Sequence, residues 1–270
     1  MEMQIQPMLI TSVNNERVKL WASLLEKKHR DRHRLFIIEG IHLLKDAIKG
    51  NYDIDAICYD TNRGLPQEIR DLVADVPTTT KWYEATDVVI KKCTDTDSPP
   101  PIFAVVKKFT VDHKDVISEN SLIVALDGVR DPGNVGTIIR SCDAVGASAV
   151  ILGKGCVDVY NPKTVRSTMG SLFHLPIIEI DLLEFLPQLK AKGIHVIGTS
   201  LQATEHCFNF NWREPACIVM GSEGEGLSPA VEAEVNKTVI IPMQGKSESL
   251  NVAMATTIML YEAMRQRSYS

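Results

Sequence analysis

The sequence predicts an α/β protein in two parts: a smaller N-terminal α/β domain over residues 1–107 and, after a linker at 108–120, a mostly parallel sheet covered by helices on both faces over 121–270. Three observations carry this. Short apolar or β-branched runs alternate with stretches of helical period along the chain. A proline-rich loop and a charged, weakly patterned segment interrupt that alternation near residue 100. From Ser121 onward, loops rich in glycine and small polar residues follow the apolar runs.

Taken in order, Asn15 to Lys28 carries apolar residues at Val18, Leu20, Trp21, Leu24 and Leu25, the spacing of an amphipathic helix. A second helix is expected over Gly40 to Ile48. Leu35 to Ile38, Ile54 to Tyr59 and Ile102 to Val106 suit buried strands. Asp95 to Pro101 (DTDSPPP) is a loop, because proline disfavours helix at itself and at the residue before it. After the linker come a strand at Leu122 to Leu126, a Gly/Pro/Asp loop, a helix over Val135 to Val145 capped by Asn134, and a strand at Ala149 to Leu152. Ile194 to Thr199, Ala216 to Met220 and Val239 to Pro242 read as further strands, with a helix at Leu182 to Lys192. Repeated strand, helix, strand indicates parallel pairing.

Composition narrows the function. With 44% hydrophobic and 23% charged residues, the 270-residue chain is ordinary for a globular protein. Its six cysteines form no C-x-x-C pair and no His/Cys cluster at zinc-ligand spacing, which points to a reduced, cytoplasmic protein without a metal site. Met1 to Thr11 lacks a basic stretch followed by an apolar run, and nowhere do about 18 apolar residues follow one another. Secretion and membrane spanning are not expected. A net charge of −5 argues against nucleic-acid binding over the whole surface, since phosphate neutralisation dominates that affinity. Any such site is local, and the densest basic stretch runs from Lys27 to Arg34, with Lys28, Arg30, Arg32 and Arg34 as candidate phosphate contacts. The plainer reading of that cluster is a solvated helix end.

Ligands of open parallel sheets bind beyond the carboxyl ends of the strands. Three loops there concentrate glycine and small polar residues: Asp127 to Gly136 (DGVRDPGNVG), Gly221 to Gly226 (GSEGEG) and Pro242 to Asn251 (PMQGKSESLN). The second has neither the Lys-Ser/Thr of a P-loop nor a dinucleotide-binding G-x-G-x-x-G, and its two glutamates would repel a phosphate. Gly221, Gly224 and Gly226 read as positions where backbone approaches a ligand closely, and a sulfonium cofactor fits better than a pyrophosphate. A nicotinamide-dependent oxidoreductase is disfavoured on the same ground.

Three motifs in this order, DGVRDPGNVGTIIRSCDAVGA (Asp127 to Ala147), IVMGSEGEGLS (Ile218 to Ser228) and IPMQGKSESLNVAMATTIMLYEAMR (Ile241 to Arg265), resemble the SpoU family, the TrmH-type ribose 2′-O-methyltransferases of the SPOUT superfamily. The resemblance spans about 150 residues of the chain. It implies a deep trefoil knot formed by the last strands and helix, with S-adenosylmethionine bound inside it near Thr199, Gly221, Ile241, Met243 and Leu250. Asn134, Arg140, Glu223, Ser249 and Asn251 match the family's near-invariant polar positions. The segment Asn14 to Gly40, ending in FIIEG, is more loosely similar to the family's substrate-binding domain, a fold like that of certain ribosomal proteins. Pro99 to Pro101 depart from it, standing where relatives often carry Gln-Gly.

The implied reaction moves a methyl group to a ribose 2′-hydroxyl, with ribosomal RNA the expected substrate and transfer RNA, or a non-catalytic role in ribosome assembly, the alternatives. Arg140 is expected to hold phosphate and position the hydroxyl, since a guanidinium donates two parallel hydrogen bonds yet is too weak an acid to serve readily as a base. Glu223 is expected to orient Arg140 or a loop amide, and Ser249 and Asn251 to hold ribose or cap the last helix. That helix, with apolar Val252, Ala253, Met254, Ile258, Met259, Leu260 and Met264 around much of its circumference, predicts a homodimer through the C-terminal domain.

Overall fold

A computed structural model describes residues 5–269. Contacts divide them into two units: the residues up to Phe109 together with Asp158–Phe173, and Thr110–Val157 together with the residues from His174 on.

The first unit is built on a mixed five-stranded sheet in the order β1-β4-β3-β5-β2, from β1 (Met8–Ile10), β2 (Leu35–Glu39), β3 (Ile54–Asp60), β4 (Lys81–Ala85) and β5 (Ile102–Lys107). The runs anticipated as strands are β2, β3 and β5, each slightly longer than expected. In this sheet sequence reading missed β1 and β4, and β4 pairs in parallel with both β1 and β3. Only Tyr83 and Ala85 of β4 are buried, so its apolar signal is thin. Trp21 meets Tyr83 and Phe103 edge-on, at centroid distances of 5.1 and 5.6 Å.

The single helix expected over Asn15 to Lys28 is two, Glu16–Ser23 and Lys27–His33. Arg30 explains the break. Its Nη1 donates to the carbonyls of Leu24 and Leu25, both at 2.8 Å, which satisfies acceptors that the end of the first helix leaves open. Its Nε and Nη2 both donate to Asp158 Oδ2, at 3.0 and 2.7 Å. Arg30 is 2% exposed and spends its guanidinium inside this unit. The expectation that it contacts RNA is therefore corrected: a buried cation bonded on three edges has nothing to offer a phosphate. Arg30→Ala strands the Asp158 carboxylate and is expected to lower unfolding stability by about 3 kcal/mol, whereas Arg32→Ala, at an exposed position, shifts it by less than about 0.5 kcal/mol. Urea denaturation of the two variants checks this.

Asp158 belongs to a segment anticipated as part of the second domain. Tyr160 explains its association with the first: its hydroxyl donates to the Phe109 carbonyl at 2.7 Å, and its ring lies 4.6 Å from that of Phe36. Further on, Arg166 bonds the buried Glu39 carboxylate at 3.0 Å. Buried polar and aromatic partners of Phe36, Glu39 and Arg30 thus come from chain more than a hundred residues later. The Asp95 to Pro101 loop is irregular as expected and leads into β5, with the Pro101 carbonyl accepting from the Asp60 amide at 2.8 Å.

The second unit is a wholly parallel six-stranded sheet in the order β11-β9-β10-β6-β7-β8. Its strands are β6 (Leu122–Asp127), β7 (Ala149–Leu152), β8 (Ile177–Glu179), β9 (His195–Thr199), β10 (Ala216–Gly221) and β11 (Lys237–Val239). Helix Leu182–Ala191 packs on the face presented by Ile123, Ala125, Ile151, Val196, Cys217 and Val219. Helices Pro132–Ala144 and Val252–Ser268 pack on each other, and reach β7 and β10 respectively. Arg267, in the last turn, donates to the carbonyls of Trp212, Asn120, Ser121 and Glu214, tying the terminal helix to the start of the sheet.

Two local expectations are corrected here. The strand expected over Val239 to Pro242 is β11 at Lys237–Val239, because Pro242 has no amide to donate and Ile240 makes only an isolated bridge to His206. The helix expected to start at Val135 under an Asn134 cap begins at Pro132, with Asp131 as its cap accepting from the Asn134 amide at 2.8 Å. Proline suits a first helical position because its missing N–H would be unpaired there anyway.

Candidate functional site

Parallel pairing brings the carboxyl ends of β9, β10 and β11 to one edge of the sheet, and the loops that follow them enclose a cavity of about 480 Å³. Thr199, Gly221, Ile241, Met243 and Leu250, five positions from four separate stretches of sequence, all line it. The shortening of β11 is what frees Ile241 and Met243 from the sheet for this wall. Three carboxylates, Glu223, Glu225 and Glu232, also face the cavity, and its lining contains no lysine, arginine or histidine. Such a wall favours a ligand carrying positive charge and apolar surface.

The loop after β10 is held shut by its own backbone. Ser222 and Gly226 exchange two amide-to-carbonyl bonds at 3.0 and 2.9 Å, and Gly226 turns the chain at φ +70°, where glycine is favoured. A Cβ on Gly221 would lie 2.1 Å from the Gly226 carbonyl carbon and 2.4 Å from the Leu227 amide nitrogen. Gly221 is thus a crossing point of two backbone segments. Gly224 is different: a Cβ there meets no protein atom within 4 Å. Asp127, at the end of β6, accepts from the Ser228 amide at 2.7 Å and ties this loop to the neighbouring strand.

Asn134, Glu223 and Asn251 form one hydrogen-bonded cluster. Asn251 caps the terminal helix with its Oδ1, which accepts from the Ala253 and Met254 amides at 2.9 and 3.3 Å. Its Nδ2 donates to Asn134 Oδ1 at 3.0 Å and to Glu223 Oε1 at 3.4 Å, and Asn134 Nδ2 also donates to Glu223 Oε1. Glu223 therefore orients two side-chain amides and not Arg140. Because Asp131 takes the capping role, the Asn134 side chain is left for this cluster. Ser249 lines the cavity outside the cluster, and its carbonyl accepts from Ser247 Oγ at 2.8 Å. Arg140, about two turns into helix Pro132–Ala144, is exposed and makes no side-chain hydrogen bond or ion pair among the described residues. Lys28, Arg32 and Arg34 are exposed in the first unit, with Lys28 paired to Glu26 at 3.0 Å.

Sequence reasoning missed Glu225 and Glu232 as cavity residues. Glu225 lay in a quoted motif, whereas Glu232 ends a short helix, Pro229–Glu232, that carries no motif signal. No cysteine lines the cavity. Burial pushes the Cys142 and Cys217 thiols far above their ordinary range and Cys207 up to about 11, so none is a ready nucleophile. Among the described residues no group of His, Cys, Asp and Glu could hold a metal ion, and no helix is long and apolar enough to cross a membrane.

Comparison with known proteins gives a consistent result. The model of the SpoU rRNA methylase family matches residues 121–261, and that of the MRM3-like substrate-binding domain matches residues 15–104. The chain is similar to the Bacillus subtilis 23S rRNA guanosine 2′-O-methyltransferase RlmP, 34% identical over 93% of this chain and 97% of that one. It is 35% identical to a 23S rRNA uridine 2′-O-methyltransferase of Streptomyces viridochromogenes, over 96% of this chain and 92% of that one. Among solved structures, an S-adenosylmethionine-bound rRNA methyltransferase of Sinorhizobium meliloti matches with a TM-score of 0.88 at 34% identity, covering 97% of this chain and 98% of that one. The SpoU methyltransferase AviRb with the same cofactor matches at 0.87 and 33%, covering 95% of this chain and 100% of that one.

Proposed function

The chain belongs to the SpoU rRNA methylase family, and on that premise we propose that it methylates a ribose 2′-hydroxyl of ribosomal RNA, using S-adenosylmethionine in the cavity after β9, β10 and β11. The observation that carries the reading is the convergence of Thr199, Gly221, Ile241, Met243 and Leu250 on one cavity walled by three carboxylates and no cation. When bound there, S-adenosylmethionine supplies an electrophilic methyl group whose bond to sulfur breaks with its electron pair left on sulfur. Ile241, Met243 and Leu250 offer it apolar contact, and Glu223, Glu225 and Glu232 favour its cationic end.

The chain's own work is positional. An O2′–H bond breaks, its proton passing to water, and an O2′–CH3 bond forms, which requires the ribose oxygen to be held in line with the methyl group. Arg140 grips an RNA phosphate and orients the hydroxyl. The Asn134–Glu223–Asn251 cluster fixes the loop after β10. Calorimetry with S-adenosylmethionine in the presence of a chelator, followed by transfer of labelled methyl to unmodified 23S rRNA, tests the reading. Binding that survives the chelator, with one phosphodiester made resistant to alkali, supports it. Label entering only transfer RNA would move the substrate, and no transfer to any RNA would favour a non-catalytic assembly protein.

The same reading places substrate selection in the first unit, whose match to a substrate-binding domain supports it. Replacing Lys28, Arg32 and Arg34 with alanine, leaving Arg30 in place, is expected to weaken RNA binding on the order of tenfold. The log–log salt slope should become shallower by about two, since each lost phosphate contact removes about 0.7–0.9. Filter binding at several salt concentrations checks this, and cofactor affinity should not move.

The reading also includes a homodimer, a knot and a cytoplasmic site of action. Val252, Ala253, Met259 and Leu260 are buried within the unit, but Met254 is 65% and Tyr261 47% exposed, with half-buried Ile258 between them at i+4. That unpartnered stripe suits a second copy of the chain. Met254→Asp is expected to sediment as a monomer at micromolar concentration, where the unaltered chain sediments as a dimer. The order β11-β9-β10-β6 and the likeness to solved SpoU methyltransferases support a trefoil knot. Stretching a single chain from both ends should leave its contour short by the length the knot retains. Six free cysteines are in keeping with a reducing compartment, which fractionation of cells would test.

A further inference from the structure

Beside the cofactor cavity lies a second one of about 270 Å³, lined by Gly128 to Asp131, after β6, and by Ser222 to Glu225. The Ser222 to Glu225 loop lines both cavities, so a group seated in the second stands one loop away from the first. Glu223, which faces both, is fixed by Asn134 and Asn251. The lining of the second cavity holds three carboxylates, Asp131, Glu223 and Glu225, and one cation, Arg130.

The charges are unequally committed. Asp131 Oδ1 accepts from the Asn134 amide and Glu223 Oε1 from two side-chain amides. Arg130 is exposed and makes no side-chain hydrogen bond or ion pair among the described residues. A free anion would be repelled by the carboxylates, and a free cation by Arg130. A nucleotide unit of RNA suits both, because its phosphate pairs with an exposed guanidinium while its sugar hydroxyls donate to carboxylate oxygens. The volume lies just below the range of drug-sized ligand pockets, which suits one nucleotide and not a folded helix.

We propose that this second cavity seats the acceptor nucleotide and that Arg130 holds an adjoining RNA phosphate, making Arg130 a substrate-positioning residue beyond Asn134, Arg140, Glu223, Ser249 and Asn251. The proposal rests on the methyltransferase reading. Its test uses the full chain with Arg130→Ala, Arg130→Lys and Arg130→Glu, an unmodified 23S rRNA transcript as probe, and labelled S-adenosylmethionine. Arg130→Ala should bind the transcript about tenfold more weakly, the size of one charge-assisted hydrogen bond, with a log–log salt slope shallower by about 0.7–0.9. Arg130→Lys should recover most of that affinity, because a point charge still serves a phosphate, and Arg130→Glu should be weaker than Arg130→Ala. KM for RNA should rise with kcat at saturating RNA and cofactor affinity unchanged. Unaltered RNA affinity and KM in all three variants would overturn the proposal while leaving the methyltransferase reading intact. A parallel fall in cofactor affinity would also overturn it, by making Arg130 a support of the loop. Cofactor binding without methyl transfer in the unaltered chain would instead refute the reading beneath it.

Discussion

Arg140→Ala is expected to lose methyl transfer by on the order of 10²–10³-fold or more, the cost of removing one aimed donor from a developing transition state, while S-adenosylmethionine affinity stays within a few fold. The reason is where the side chain stands. Arg140 is absent from the lining of the cofactor cavity, is exposed on its helix, and makes no side-chain bond among the described residues. Its removal breaks no internal contact, so thermal unfolding should be unchanged. Arg140→Lys should also transfer poorly, because an ammonium cannot reproduce the planar fork of a guanidinium on phosphate. Single-turnover transfer at saturating RNA, calorimetry and a melting curve separate the outcomes. Equal loss of transfer, cofactor binding and stability would make Arg140 a structural residue.

Gly221→Ala should act instead on the fold. The added Cβ would sit 2.1 and 2.2 Å from the carbonyl carbon and oxygen of Gly226, which are backbone atoms held by the paired Ser222–Gly226 bonds and cannot swing aside. A loss of more than about 4 kcal/mol, the exceptional end of single substitutions, is expected, with cofactor binding lost in parallel. Gly224→Ala is the matched control three residues on, since its Cβ would enter open space, and it should change stability by less than about 1 kcal/mol. Urea unfolding and calorimetry on the pair check this. Two variants of similar stability would mean that the crossing of backbone at Gly221 is not tight.

Much of the site was legible because its residues sit in short motifs at strand ends, where local patterns of glycine and small polar residues carry the signal. Asn134, Glu223 and Asn251 were singled out separately and meet in one cluster. Their partners were not legible. Glu223 was expected to orient Arg140 or a loop amide and bonds two side-chain amides, because which donor reaches a carboxylate depends on how three distant loops pack. Lys28, Arg30, Arg32 and Arg34 looked alike in sequence, yet Arg30 points inward to Asp158, a partner 128 residues away. The β4 strand was missed because exposed Lys81 and half-buried Trp82 and Glu84 hide it from an apolar-run criterion, although it lies inside its sheet between β1 and β3.

By itself the sequence determined the α/β class and the parallel pairing of the second half, and its motifs carried the resemblance to the SpoU family, since periodicity, glycine placement and motif order are local properties of the chain. Tertiary structure alone decided which basic residue is buried, that Asp158–Phe173 packs with the first unit, that β11 stops early enough to free Ile241 and Met243, and that Glu232 and Arg130 face cavities. Those facts depend on pairings between residues far apart in the chain, whose energies arise only when burial and hydrogen-bond partners are set together.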